Sequence, residues 1–335
     1  MISKKTNFIL STYLVFIFVL FGCSDLERII QINGSTMGTQ YHISIVIKES
    51  SPSSKNLKQA VDKLLLIINQ QMSTYRKDSE ISHFNQYKKT DWFPVSKDFA
   101  YVVSAALDVS KQTNGAFDIT ISPLVDLWGF GSKAQYTVPT EQQIAELLPH
   151  TGFQHLKVQT SPAALRKDDT QIHIDLSAIA KGFAVDKVST YLSTKGFKNH
   201  LVEIGGEVRA SGVNASGKKW KIAIEQPNKK KQQVNKIITI SDKALATSGD
   251  YRNFYIKNKV RYSHMIDPKT GSPTKHQLAS VTVIHNSTMY ADAYATALMV
   301  IGEKAGKDFT KKNKLNVNMI IRDKVGSFSN WSNLN

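Results

Sequence analysis

The chain of 335 residues has a single cysteine, Cys23, and it falls in the first 25 positions. The body therefore has no disulfide, no cysteine-based zinc site and no thiol nucleophile. Only 9 prolines and 18 glycines are spread along it, with no repeat or low-complexity tract, so a flexible linker or fibrous protein is excluded. Long apolar runs are absent except at the start. There Lys4 and Lys5 precede the almost wholly apolar Phe8 to Phe21. That run is too short for a comfortable membrane span and fits an export signal. Acidic residues are in deficit, 27 against 43 Lys and Arg, for a formal charge of +16. Two readings of this charge remain open: a surface that attracts an anionic partner, and a solvated lysine-rich surface. The densest basic run, Lys229-Lys230-Lys231, sits in a loop pattern, and no nucleic-acid module accompanies it.

What is present, 41% hydrophobic residues, suffices for one sizeable core. Leu20-Phe21-Gly22-Cys23 resembles a bacterial lipobox, in which the cysteine is diacylated. The sequence thus predicts a lipoprotein signal over 1–22, an anchored tether over 23–33 and a catalytic unit over 34–335. Alternation over Gln40–Ile47 predicts a strand. Leu57, Val61, Leu64, Leu65, Ile68 and Met72 recur at helical spacing. Ser96 caps a second helix, and Thr140 with Gln143 forms a capping box. Ile172, Ile174 and Leu176 alternate like a strand ahead of a helix over 180–195. Short strands fill 200–285, a helix follows over 289–301, and a strand over 317–321 closes the chain. Helices and strands mix without βαβ order, so the class is α+β.

Several short segments carry candidate chemistry. Gly34 to Thr39 is a small-residue loop that leaves backbone N–H groups accessible to a phosphate. Asp175 to Gly182 sits where a strand meets a helix, with Lys181 beside the helix start. Gly205-Gly206-Glu207 reads as a bulge. His264 precedes the turn Asp267–Gly271. Asp292 and Thr296 lie four apart on one helix face, and both offer hard oxygen donors suited to Mg²⁺.

The order and spelling of these segments resemble the ApbE family, the FAD:protein FMN transferases. The motifs are Ser35-Thr36-Met37-Gly38-Thr39, Met72-Ser73-Thr74-Tyr75, Gly115-Ala116-Phe117-Asp118 with Trp128-Gly129-Phe130-Gly131, Asp175 to Gly182, Gly205-Gly206-Glu207, Ser263 to Gly271, and Ala291-Asp292 with Thr296. The resemblance implies that Met37, Tyr75, Ala116, Phe117 and Asp118 contact FAD. It implies that Asp175 and Lys181 hold the ribose or phosphate region and that Ile266 lines the pocket. Mg²⁺ would take side-chain oxygens from Asp292 and Thr296 and the carbonyl of Ala178. His264 would lie near the reacting phosphate, and His264 or Asp292 would act as base. Ala295 stands where some members have an acid. The implied reaction splits the FAD pyrophosphate, places FMN on a threonine of an acceptor protein and releases AMP. The implied acceptor is a membrane redox-complex subunit. The implied location is the cell envelope, anchored to the inner membrane and facing the periplasm. An FAD pyrophosphatase and a non-catalytic flavin-binding lipoprotein remain as alternatives.

Overall fold

The computed structural model describes residues 27–48, 50–131, 135–227, 233–251, 253–323 and 327–334. The export segment, Cys23 and the Lys229–Lys231 run lie outside the described residues. Among the described residues no helix is long and apolar enough to cross a membrane.

Eight strands form one antiparallel sheet whose spatial order follows the chain: β1 (Arg28–Thr36), β2 (Thr39–Ile47), β3 (His200–Ile204), β4 (Glu207–Ser211), β5 (Lys243–Gly249), β6 (Leu278–His285), β7 (Asn316–Arg322) and β8 (Phe328–Ser332). Each strand sends alternate residues to opposite faces. Tyr41, Ile43, Ile45, Val202, Ile204, Val281, Val283, Val317 and Met319 join the main core. Val46, Val208, Leu245 and Ile320 join a smaller core on the other face. The hairpin of Trp220–Glu225 and Val234–Ile240 covers that second face.

The helices are α1 (Leu57–Met72), α2 (Glu80–Gln86), α3 (Lys97–Gln112), α4 (Ser122–Leu127), α5 (Glu141–Leu147), α6 (Ala180–Thr194), α7 (Thr288–Ile301) and α8 (Glu303–Lys312). Helices α1, α3, α6 and α7 supply the helical half of the main core. Helix α7 is buried on nearly every side. That burial fits its apolar sequence and makes its one acid, Asp292, conspicuous. The α+β class read from the sequence is the class observed.

Three local readings are corrected. Arg28–Thr36 is not tether but the first strand, paired with β2 from Arg28↔Ile47 to Thr36↔Thr39. Met37 and Gly38, at φ 50° and 72°, make the two-residue turn of that hairpin. Gly205-Gly206 is likewise a hairpin turn, closing Ile204↔Glu207, and not a bulge. Ile172, Ile174 and Leu176 are buried and extended, but they join no sheet. The Asn85 side-chain amide instead holds both backbone groups of Ile174, at 2.8 and 2.9 Å. A side-chain amide thus replaces the ladder partner that the alternation predicts.

Candidate active site

The site begins where two helices start against each other. The Asp186 carboxylate of α6 accepts hydrogen bonds from the backbone N–H groups of Thr288 and Met289, at 3.0 and 3.1 Å, and from both the Ser287 and Thr288 hydroxyls. It therefore caps α7. In return Asp292 Oδ2 of α7 accepts the Gly182 N–H of α6 at 3.1 Å. The two helices approach so closely that a Cβ on Gly182 would lie 2.4 Å from the Thr288 carbonyl oxygen. Gly182→Ala should therefore lower stability by roughly 1–3 kcal/mol in urea unfolding.

This exchange of caps has a chemical consequence. Gly182 is the third residue of α6, so its N–H is one of the helix-start donors that have no acceptor within the helix. Asp292 supplies the acceptor that this N–H lacks, and the Ala178 carbonyl, which precedes the helix, stands outside its ladder. Thr296, one turn beyond Asp292, shares a hydrogen bond with the Ser248 hydroxyl at 3.0 Å. Ala178, just before α6, and Asp292 and Thr296, on α7, thus carry a carbonyl, a carboxylate and a hydroxyl.

Lys181 reaches across to β4, with Nζ 3.2 Å from Glu207 Oε1. Glu207 and Asp292 are both buried. Burial raises the pKa of each carboxyl against the pull of Lys181, and carries Glu207 to about 8. Burial alone would lower the Lys181 pKa. The neighbouring Asp292 and Glu207 charges outweigh it and hold the amine above its ordinary range. Lys181 is therefore charged, and the pair of acids tends to retain a proton at neutral pH. Glu207 Oε2 has no hydrogen-bond partner.

These residues fit a hard divalent cation. The donors are oxygens only, the local charge favours a cation once both acids ionise, and one buried carboxylate oxygen is unspent. Among the described residues no group of three or more His, Cys, Asp or Glu side chains converges on a metal position, so a cation here would draw on hydroxyl and carbonyl oxygens beside the carboxylate. Ala295 is buried in the main core, and the second acid at Lys181 comes from Glu207 instead.

The pair of helix starts opens into a cavity of about 1090 Å³. The β4–β5 ladder ends at Val208↔Leu245, and beyond it Glu207 and the stretch Thr247–Gly249 line opposite parts of the wall. His264 also lines the cavity. Its Nδ1 lies 2.9 Å from the Asn253 carbonyl, which only accepts, so Nδ1 carries the proton and Nε2 the lone pair. Burial lowers the His264 pKa and keeps the ring neutral.

Tyr75, Ala116, Phe117, Asp118, Asp175, Ala178, Lys181, His264, Ile266, Asp292 and Thr296 all line this one cavity. Tyr75 is 69% exposed, at the end of α1, where its ring is free to cover a flat ligand. Asp175 is fixed by the Thr74 hydroxyl at 3.1 Å and the Ser177 N–H at 2.6 Å. Asp118 spends its carboxylate on its own loop, accepting from Thr120 and from the Phe153 N–H at 2.7 Å. Met37 is the residue set apart. It lies in the β1–β2 turn and does not line the cavity; Gly205, which does, donates its N–H to the Gln40 carbonyl of β2 at 3.1 Å. Sequence reasoning missed Thr74, Ser248 and above all Glu207 as lining residues. A glutamate placed directly after a glycine pair and before alternating residues was the available signal for the last.

The ApbE family profile matches residues 37–321. The FAD:protein FMN transferase of Vibrio cholerae is 44% identical over 92% of each chain. That of Haemophilus influenzae is 41% identical over 92% of this chain and 90% of its own. The solved structure of the flavin transferase ApbE from Vibrio cholerae superposes with a TM-score of 0.84 at 43% identity, covering 91% of this chain and 97% of that one. The apo flavinyl transferase ApbE of Pseudomonas stutzeri gives 0.84 at 36% identity, over 91% and 95%. The chain belongs to the ApbE family.

Proposed function

We propose that the protein is an Mg²⁺-dependent FAD:protein FMN transferase that joins FMN to an acceptor threonine and releases AMP. The observation that carries this reading is that Ala178, Asp292 and Thr296 line the same cavity as Lys181 and His264. When bound there, Mg²⁺ would neutralise charge on the pyrophosphate oxygens and stabilise the AMP leaving group. Lys181 adds a fixed positive charge toward the same oxygens. Asp175 and the N–H groups near the α6 start receive the polar part of FAD, and Phe117, Ile266 and Tyr75 receive its rings.

His264 is assigned as the base. Its Nε2 is the free basic nitrogen, whereas Asp292 is committed to Gly182 and to the cation. The threonine Oγ–H proton passes to Nε2, the Oγ forms a bond to the FMN phosphorus, and the phosphorus–oxygen bond to AMP breaks. AMP departs with the bonding electrons. Because burial lowers the His264 pKa, the ring stays a base to more acid pH than a free histidine. The acid limb of kcat/KM should therefore fall below the ordinary value of about 6.5. In His264→Gln that limb should vanish and the rate fall roughly a hundredfold.

The start of the chain supports an envelope location, with Cys23 as the lipid anchor on the inner membrane and the body facing the periplasm. Globomycin treatment of cells, which blocks lipoprotein signal cleavage, should leave a larger precursor. The activity itself is tested by following AMP release from FAD with Mg²⁺, with and without acceptor. Release that depends on acceptor is expected. Equal release of AMP and free FMN without acceptor would mean hydrolysis instead.

A further inference from the structure

A two-stranded hairpin, Phe254–Lys257 paired with Val260–Ser263, stands apart from the main sheet. It is joined to the site at its base. Asn253 enters it and His264 leaves it, and both line the cavity. The Asn253 carbonyl accepts both the His264 N–H and the Nδ1–H, at 3.3 and 2.9 Å.

The inner face of the hairpin is anchored. Tyr255 and Tyr262 stack at 5.2 Å, Trp128 stacks on Tyr262 at 5.4 Å, and Phe130 packs on Tyr255 at 5.4 Å. Arg261 is tied to Asp250. The tip is unlike this base. Ile256 is 66% and Val260 50% exposed, and Tyr136, packed on Tyr255, is 53% exposed. Lys257 and Lys259 are exposed, and no acid occurs between Asn253 and His264. Among the described residues neither lysine meets a carboxylate. The hairpin thus holds Ile256, Val260 and Tyr136 in water, with two cations among them, beside the base of a group-transfer reaction, the composition of an interaction surface.

We infer that this hairpin tip docks the acceptor protein, through an acidic, partly apolar segment that brings its threonine to His264. The inference rests on the transferase reading. Exposed apolar side chains supply contact area, and the unpaired lysines select acidic partners and speed their encounter. Since the hairpin ends at His264, a segment lying along it is led directly to the cavity.

The test uses the purified full chain and two peptides, one acidic with a single threonine, the other identical but with its acids changed to lysine. Binding of each is measured by fluorescence anisotropy, with FAD affinity measured in parallel. The wild-type protein should prefer the acidic peptide, with a Kd that weakens as NaCl is raised. Lys257→Glu/Lys259→Glu should weaken that Kd tenfold or more and flatten the salt dependence. Ile256→Asp should weaken it as well, and FAD affinity should not move in either variant. An unchanged peptide Kd would overturn the inference, as would a parallel loss of FAD affinity. Lysine-dependent binding of phosphatidylglycerol vesicles in place of the peptide would also overturn it. Retained peptide binding without AMP release would instead fault the transferase reading.

Discussion

Asp292→Ala should lower acceptor-dependent AMP release by roughly a thousandfold or more, and the residual rate should no longer depend on Mg²⁺. Two losses combine in this variant. A bound cation would lose its carboxylate from α7, and the Gly182 N–H loses its acceptor. Without that acceptor a buried N–H at the start of α6 is left unpaired, which would loosen the turn that follows Ala178. The same substitution thus removes one donor and unsettles the segment that carries a second. Asp292→Asn separates this from a folding defect. Its amide oxygen can still accept from Gly182, so the variant should unfold at nearly the wild-type urea concentration yet show the same loss of Mg²⁺ response. A Mg²⁺ titration of AMP release gives the readout. A variant with wild-type half-saturation would remove Asp292 from the cation site.

Lys181→Met carries the second large effect, on stability. Lys181 is the cation that Glu207 and Asp292 share, and both acids are buried. Its removal leaves the buried pair, which keeps one proton at neutral pH, with an ionised member that has no counter-charge, a change that typically costs roughly 3–5 kcal/mol. Urea unfolding at neutral pH in EDTA should show a loss of that size. Adding Glu207→Gln to Lys181→Met should recover most of it, because an amide is buried at far lower cost than a carboxylate. A loss below about 1 kcal/mol would mean that the acids are already neutral and that Lys181 is not their partner.

The parts of this fold legible in the sequence are those whose signals are local. The stripe from Leu57 to Met72, the Thr140–Gln143 capping box and the stops at Gly196 and Gly302 each depend on residues within a turn or two, and each is present. What escaped depends on distant partners. In β1 an edge position leaves Ile29 exposed and Ile30 half-buried, so its alternation is blurred and reads as tether. Helices α2 and α4, of seven and six residues, are too short to display a helical period. Ile172 to Leu176 alternates because alternate side chains are buried, and only the Asn85 amide shows why no strand forms.

The site divides in the same way. The spacing of Asp292 and Thr296 correctly places both on one helix face. The Asp292 cap on Gly182 and the ion pair of Lys181 with Glu207 arise from contacts over long sequence separations, which motif spelling conveys only through family resemblance. Glu207 shows the limit most clearly. Taken alone the glycine pair before it suggested a bulge, whereas the hairpin it closes points the acid at the centre of the charge cluster.

The most direct test of the account is intact-mass and peptide mass spectrometry of a candidate acceptor after incubation with the protein and FAD. The arms are Mg²⁺, EDTA, and Mg²⁺ with the Asp292→Asn variant. The account predicts a mass gain of FMN less water on one threonine in the first arm alone, matched mole for mole by AMP. Unmodified acceptor with free FMN in solution, or equal labelling in EDTA, would contradict it.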